Sequence, residues 1–245
     1  MAPMLPSNRN GAFQNVWLVL GSSPNAARQL AAAMFNAPRN VTTITTNRGL
    51  LMLPQPNYYL VFSLVGERRY RPHYKRAQRR GTKIVGCNYK LPRESPTHPQ
   101  VNWVGTEHKP PKTCVLAYKN PAYVCPCDVI ADVGPFYRDP PEWAPGQPFV
   151  TRSSGLLCVQ FAIDHGADLL LMAGFEGYGT VGSPYFDGED CDDSAQRTEW
   201  TQRFYGPTMA NIMQGSIEHT RFVMLGKPTF PLKAPNLAII DVPST

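Results

Sequence analysis

Long apolar runs are missing from this 245-residue sequence, and so is the usual pattern of a secretion signal. No stretch approaches the roughly 18 uncharged apolar residues that would mark a candidate membrane-spanning helix. The first residues, MAPMLPSNRNG, have neither a basic start nor an apolar centre, so we expect no signal peptide. The six cysteines are scattered, and Cys125-Pro-Cys127 is spaced too tightly for a usual zinc knuckle. These absences predict a cytoplasmic protein without a metal site.

Charged residues are also scarce, at 17% of the chain, whereas glycine and proline occupy 19 and 25 positions. Those positions are dispersed rather than periodic, and hydrophobic residues reach 42%, which excludes collagen-like and low-complexity chains. The length and apolar content suffice for a single domain over residues 1–245. The net charge of +6 favours anionic partners without choosing among nucleotides, nucleic acid and acidic membranes.

Short apolar runs alternate with helical patterns, which is typical of an α/β fold. Val16–Leu20 predicts a buried strand, and in the following turn Ser23 is expected to cap a helix that ends near Pro38. Further strands are predicted at 41–46, 58–65, 84–86, 168–174, 221–225 and 236–242. Helices are predicted at 156–163 and at 194–214, the second with an interruption at Gly206-Pro207. We predict a single Rossmann-like domain whose mostly parallel sheet is flanked by helices.

Two stretches do not follow this alternation. Residues 90–148 are dense in proline, which predicts an irregular insertion or lid with short strands near Val101 and Val115. The stretch from Arg68 to Lys83 holds eight of the 24 basic residues. The favoured interpretation is a solvated helix face between strands, and the alternative is a surface for phosphate or nucleic acid.

Three predicted sheet-edge loops carry small polar residues: 21–25, 45–49 and 151–155. Two of them open helices, whose N-terminal backbone N–H groups suit an anionic group such as a nucleotide phosphate. The loops match neither the Gly-x-x-x-x-Gly-Lys-Ser/Thr phosphate loop nor the Gly-x-Gly-x-x-Gly dinucleotide fingerprint. Kinase-like NTPases and ordinary dehydrogenases are therefore disfavoured.

The second half of the chain shares the motif layout of a known family. Thr151-Arg152-Ser153-Ser154-Gly155 precedes a predicted helix and strand, then come Gly174-Phe175-Glu176-Gly177-Tyr178 and Gly182-Ser183-Pro184-Tyr185-Phe186-Asp187. This resembles the bacterial lipooligosaccharide sialyltransferases, with Arg-x-x-Ser-Gly, a helix, a strand ending Gly-Ile-Asp-x-Tyr, and a second tyrosine in Gly-Ser-x-Tyr. The motility-associated flagellin glycosyltransferase domain is similar in a looser form. The likeness covers about residues 15–225 and is specific around 151–187.

The resemblance implies a nucleotide-sugar-binding α/β fold, CMP-sialic acid as donor, no metal, and inverting transfer to a hydroxyl of an acceptor glycan or other acceptor. No cofactor is implied, because the nucleotide-sugar is a substrate. It implies that Tyr178 and Tyr185 donate hydrogen bonds to the departing phosphate, which needs such donors when no divalent cation is present. The implied donor-binding residues are Gly21, Ser22, Ser23, Asn47, Arg152, Ser154, Gly155, Gly174 and Glu176, the last in place of the family's aspartate.

One departure concerns the general base. The family has a histidine shortly before the helix that here is expected to begin near Ser194, and this sequence has no histidine there. Asp192 or Asp193 is the proposed substitute, since a carboxylate can accept the proton of an acceptor hydroxyl. Five acids lie between Asp187 and Asp193, so a solvated or metal-touching acidic loop is an equal alternative.

Three functions therefore stay open. The first is a sialyltransferase-like glycosyltransferase. The second is a nucleic-acid-binding or nucleic-acid-modifying accessory protein, favoured by the net charge and by the basic stretch. The third is a catalytically inactive relative with a structural role, which the missing histidine leaves open. The oligomeric state is not predicted.

Overall fold

The computed structural model describes residues 13–61, 64–88, 127–132, 153–177 and 205–242. The strands are β1 (Val16–Leu20), β2 (Thr42–Thr46), β3 (Tyr58–Val61), β4 (Lys83–Asn88), β5 (Val129–Asp132), β6 (Leu169–Ala173), β7 (Arg221–Leu225) and β8 (Leu237–Ile240). The helices in these ranges are α1 (Ala26–Asn36), α2 (Gly49–Met52), α3 (Leu64–Arg79), α4 (Ser154–Asp164) and α5 (Gly206–Gly215).

The eight strands form one sheet in the order β5-β4-β3-β2-β1-β6-β7-β8. Every pairing is parallel, which confirms the predicted Rossmann-like α/β fold. From β1 the chain builds outward through β2, β3, β4 and β5, and it then returns to the other side of β1 with β6. The direction in which strands are added thus reverses between β1 and β6, and such a switch point opens a crevice at the carboxyl ends of the strands.

Both faces of the sheet are covered, which explains why β1 and β6 are apolar throughout. In β1, Val16, Leu18 and Leu20 pack in a core with α1, whereas Trp17 and Val19 belong to a core that includes residues of α3, α4 and α5. All five residues of β1 and all five of β6 are buried. A strand buried on both sides has no polar alternation, so its sequence is a continuous apolar run.

Asp168 and Asn15 join the amino ends of β1 and β6. The Asp168 carboxylate accepts hydrogen bonds from the backbone N–H groups of Gln14, at 2.6 Å, and Asn15, at 3.0 Å. The Asn15 amide donates in turn to the carbonyls of His165 and Gly166, both at 2.9 Å. The end of α4 and the starts of both central strands are therefore held together, which fixes the register of β1 against β6.

One predicted strand boundary is wrong by four residues, and one strand was not predicted. The strand predicted at 58–65 ends at Val61, because Leu64 already begins α3, and an apolar run that continues from strand into helix hides the boundary. Gly206-Pro207 begins α5, where proline fits the first helical turn, and residues 194–204 of the helix predicted at 194–214 lie outside the described residues. Strand β5 was not predicted inside the 90–148 segment. The remainder of that segment, with Val101 and Val115, lies outside the described residues.

The basic stretch forms most of α3, whose charged side chains are exposed from Arg68 onward. This matches the interpretation as a solvated helix face. Within the ranges given above, no helix is long and apolar enough to cross a membrane.

Because the sheet is buried on both faces, we expect the same leucine-to-alanine change to lower the free energy of unfolding much more in β6 than on exposed α2. Leu171→Ala removes a fully buried side chain from β6 and should lower the free energy of unfolding by about 2 to 5 kcal/mol. Leu51→Ala on α2 removes a side chain that is 42% exposed and should cost less than about 1 kcal/mol. Urea denaturation of both variants measures the difference, and equal losses would contradict this description of the core.

Candidate functional site

The backbones at the carboxyl ends of β1 and β6 lie in direct contact at the switch point. The N–H of Gly21 donates to the carbonyl of Ala173 at 2.7 Å. A Cβ atom on Gly21 would lie 2.2 Å from the carbonyl oxygen of Gly174, and one on Gly174 would lie 2.8 Å from the carbonyl carbon of Gly21. Gly174 also has a φ of +80°, which other residues adopt at a cost. Only glycine at both positions allows this approach.

Phe175 fills the space between this contact and the start of α4. Its ring is buried, and it lies where a Cβ on Gly21 would meet it at 3.3 Å and one on Gly155 at 3.2 Å. Gly155, in the first turn of α4, therefore lets the helix approach the ring closely. The separation between the end of β1 and the N-terminus of α4 is set by one aromatic side chain between two glycines.

The carboxylate of Glu176 ties the loop after β6 to the loop after β1. Glu176 is 3% exposed, and its two oxygens accept hydrogen bonds from the Ser23 hydroxyl and the Gln29 side-chain amide. The Gln29 carbonyl oxygen in turn accepts from the backbone N–H of Gly174 at 2.6 Å. A buried carboxylate requires such donors, because its desolvation is otherwise very costly.

These bonds correct the predicted cap of α1. Ser23 was expected to cap the helix, but its hydroxyl donates to Glu176 instead. The N-cap position is Asn25, whose side chain makes no capping hydrogen bond. The reason is that α1 begins at Ala26, so Ser23 lies two residues before the N-cap, and its backbone carbonyl accepts from the Ala26 N–H.

The carboxyl end of β7 joins the same cluster. The Glu176 carbonyl accepts from both the N–H and the hydroxyl of Thr229, at 2.8 and 2.9 Å. Gly226, directly after β7, has a φ of +103°, and a Cβ there would lie 2.3 Å from the Gln29 amide nitrogen. Glycine thus follows β1, β6 and β7 where the three strands end side by side.

Asn47 and Ser154 meet beside this cluster, at the carboxyl end of β2. Asn47 has a φ of +47°, the only positive value of a non-glycine residue in the described ranges. Its side-chain amide nitrogen lies 3.4 Å from the hydroxyl oxygen of Ser154, the first residue of α4. The sequence predicted both residues as ligand contacts, and the structure brings their side chains together.

Tyr59 holds the turn that carries Asn47 through a hydrogen bond to its backbone. Its ring stacks on Tyr74 with centroids 5.7 Å apart, and its hydroxyl is hydrogen-bonded to the backbone of Asn47. Burial raises the pKa of the Tyr59 phenol far above its usual range, so the hydroxyl stays protonated at neutral pH. A rigid, neutral side chain thus supports the turn that carries Asn47.

The surroundings of the site are suited to an anion. The helices α1 and α4 begin at this edge, and neither has an acidic residue in its first turn. Arg28, in the first turn of α1, donates to the Asn25 side chain at 3.2 Å, while its buried Nε has no partner among the described residues. Arg48, directly after Asn47, is 9% exposed. Two guanidinium groups therefore lie at the carboxyl edge of the sheet.

The predicted binding residues fall into two groups joined by Phe175. Gly21, Ser23, Gly174 and Glu176 form the contact at the switch point, and Ser22 lies half-buried in the same turn. Asn47, Ser154 and Gly155 form the second group. The predicted residues Arg152, Tyr178, Tyr185, Asp192 and Asp193 lie outside the described residues. Among the described residues, no three His, Cys, Asp or Glu side chains are placed to hold a metal ion together.

Four residues that the sequence reasoning missed hold the site together: Gln29, Phe175, Gly226 and Thr229. For two of them the sequence contains a pattern that could have indicated their role. Gln29 lies at helical spacing between Ala26 and Ala33 on the buried face of α1, where a polar residue is unexpected. Gly226 repeats the pattern of an apolar strand ending in glycine that Gly21 and Gly174 already show.

Comparisons with models of known families, with curated proteins and with solved structures give no match to this chain.

The close approach at the switch point predicts that alanine is far more costly at Gly174 than at another left-handed glycine. Gly81 has a φ of +99° and open space around it, so Gly81→Ala should cost only the backbone strain, about 1 to 2 kcal/mol. Gly174→Ala adds the clash with Gly21 and Ala26 and should cost about 1 to 3 kcal/mol more. Thermal or urea unfolding of the pair tests this, and equal losses would mean that the contact is not tight.

Gln29 is predicted to stabilise the fold through its two buried hydrogen bonds. Gln29→Ala leaves the Gly174 N–H and one Glu176 oxygen without a partner and should cost about 2 kcal/mol or more. Gln55→Ala serves as the control, because the exposed Gln55 side chain donates one bond to the Arg80 carbonyl. Gln55→Ala should lower the free energy of unfolding by less than about 1 kcal/mol. A similar destabilisation in both variants would argue against the buried network.

Proposed function

We propose that this chain is a glycosyltransferase similar to the bacterial lipooligosaccharide sialyltransferases. It moves a sugar from a nucleotide-sugar, with a CMP-sugar as the first candidate, to an acceptor hydroxyl by metal-independent inverting transfer. The main support is that the loops singled out by the resemblance meet at the switch point of a parallel sheet. There, Asn47 and Ser154 lie side by side next to the contact between Gly21 and Gly174.

The donor phosphate is proposed to bind at the N-termini of α1 and α4. Helix N-termini and the helix dipoles favour negative charge there, and no acidic side chain in either first turn opposes it. Arg28 adds a positive charge with one hydrogen-bond donor, Nε, that no described residue satisfies. Ser23 shapes this turn without contacting the phosphate, because its hydroxyl donates to Glu176 and its backbone N–H to the Gly174 carbonyl.

The nucleoside is proposed to bind at Asn47 and Ser154. An asparagine amide offers both donors and an acceptor, and the adjacent hydroxyl of Ser154 can do either. Such a combination suits the polar edge of a base or the hydroxyls of a ribose. The hydrogen bond of Tyr59 to the Asn47 backbone fixes this turn before the ligand arrives, which lowers the entropic cost of binding.

In the proposed transfer, the acceptor oxygen attacks the anomeric carbon while the bond from that carbon to the phosphate oxygen breaks. Tyr178 and Tyr185 donate hydrogen bonds to the departing phosphate as its charge grows. Asp192 or Asp193 takes the proton of the acceptor hydroxyl. These four assignments rest on the resemblance and on the sequence alone.

Asn47→Gly tests the nucleoside site with little disturbance to the fold. Glycine accepts a positive φ without strain, so the thermal midpoint should change little, while the lost amide should weaken nucleotide binding roughly tenfold. Calorimetric titration with CMP, UDP and GDP measures affinity, and Asn40→Gly, in an exposed turn before β2, is the matched control. If none of the three nucleotides or their sugars binds the wild-type protein, the proposed function is wrong.

The tyrosines are predicted to act in the transition state. Tyr178→Phe combined with Tyr185→Phe should reduce donor turnover by roughly 100-fold or more, with a much smaller change in donor affinity. Single-turnover transfer or donor hydrolysis, measured beside calorimetric binding, separates the two effects. Equal losses in turnover and affinity would indicate that the tyrosines only bind the donor. Nucleotide binding without any turnover would favour the catalytically inactive relative.

A further inference from the structure

The outward face of α3 is strongly cationic. The helix carries six basic residues and a single acid, Glu67. Arg68, Lys75 and Arg79 recur at a spacing of seven and then four residues, so they lie along one line of the helix surface. All three side chains are exposed, and Arg76 and the following Arg80 are exposed beside them. The result is a stripe of positive charge in which Pro72 lies between Arg68 and Lys75.

The opposite face of α3 packs in the hydrophobic core. Tyr70, Tyr74 and Ala77 are buried, and Tyr74 stacks on Tyr59 of the central sheet. The helix is therefore anchored to the sheet by one side. A partner can contact the stripe without any rearrangement of the fold.

The dimensions and the chemistry of the stripe match a nucleic-acid backbone. From Arg68 to Arg79 the helix rises about 16 Å. That distance spans about five phosphates of one duplex strand, at roughly 3.4 Å of axis for each. Arginine dominates the stripe, and its planar guanidinium group binds phosphate oxygens through two parallel hydrogen bonds.

Two other anionic partners fit this surface less well. A helix that lies on an acidic membrane inserts large apolar residues, and the exposed large apolar residues of the described chain, Met34, Phe35, Leu51 and Ile239, all lie on other elements. Single-stranded nucleic acid is usually held by stacking on exposed aromatic rings, whereas both tyrosines of α3 from Tyr70 onward are buried.

We propose that the outward face of α3 is a binding surface for double-stranded nucleic acid. It contacts the phosphates and therefore binds without preference for base sequence. The inference is independent of the proposed glycosyltransferase activity, because binding at α3 requires neither the donor nor turnover.

The test compares two triple variants that lose the same charge. Arg68→Gln, Lys75→Gln and Arg79→Gln remove the stripe, and glutamine keeps nearly the same helix propensity. Arg39→Gln, Arg221→Gln and Lys233→Gln remove three exposed charges from other elements. Binding of a short fluorescent duplex of arbitrary sequence is measured by anisotropy over a series of salt concentrations, beginning near about 50 mM.

The wild-type protein should bind the duplex with an affinity that falls linearly with the logarithm of salt concentration. The stripe variant should bind at least about tenfold more weakly at low salt, and its slope of log affinity against log salt concentration should become less steep by roughly 2 to 3. The control variant should keep most of the wild-type affinity and most of the wild-type slope. Absence of duplex binding by the wild type would overturn the proposal. So would equal losses in the two variants, or tighter binding to vesicles of phosphatidylcholine and phosphatidylserine than to the duplex.

Discussion

The contact between the backbones of Gly21 and Gly174 is the constraint on which the rest of the site depends. Two adjacent parallel strands leave the sheet at this point, and their loops pass each other with no side chain between them. The loop after β6 is thereby brought against α1, where Gln29 and Ser23 meet the buried carboxylate of Glu176. Without this approach, the buried Glu176 carboxyl group would lose the hydrogen bonds from Ser23 and Gln29, and its burial would be costly.

The polar network that results has a physical role beyond stability. Its polar residues come from three different loops: the buried Ser23 from the loop after β1, the buried Glu176 from the loop after β6, and the exposed Thr229 from the loop after β7. Three chain segments are therefore fixed relative to one another before any ligand binds. The Asn47 turn is fixed separately through Tyr59 and α4. Such preorganisation reduces the entropy that a ligand must remove.

Local patterns in the sequence predicted the parts of the fold that local physics controls. The strands β1, β6 and β7 are continuous apolar runs because both of their faces are covered, so their positions could be predicted closely. Asn47 and Ser154 were predicted as ligand contacts through the resemblance, and they belong to predicted loops at the same sheet edge. The hydrogen bond from Ser23 to Glu176 could not be predicted in this way. The two residues are 153 positions apart, and local sequence patterns do not show which distant side chains meet.

The position of β1 in the middle of the sheet has a consequence for how the chain folds. Its neighbour β2 follows at once, but Val16 pairs on the other side with Leu169, about 150 residues later. During synthesis one edge of β1 therefore waits, unpaired and apolar on both faces, until β6 has emerged. Parallel pairing over such a separation has a high entropic cost of closure and makes folding slow. The same strand order that creates the crevice thus delays completion of the sheet and leaves an apolar strand edge exposed to aggregation in the nascent chain.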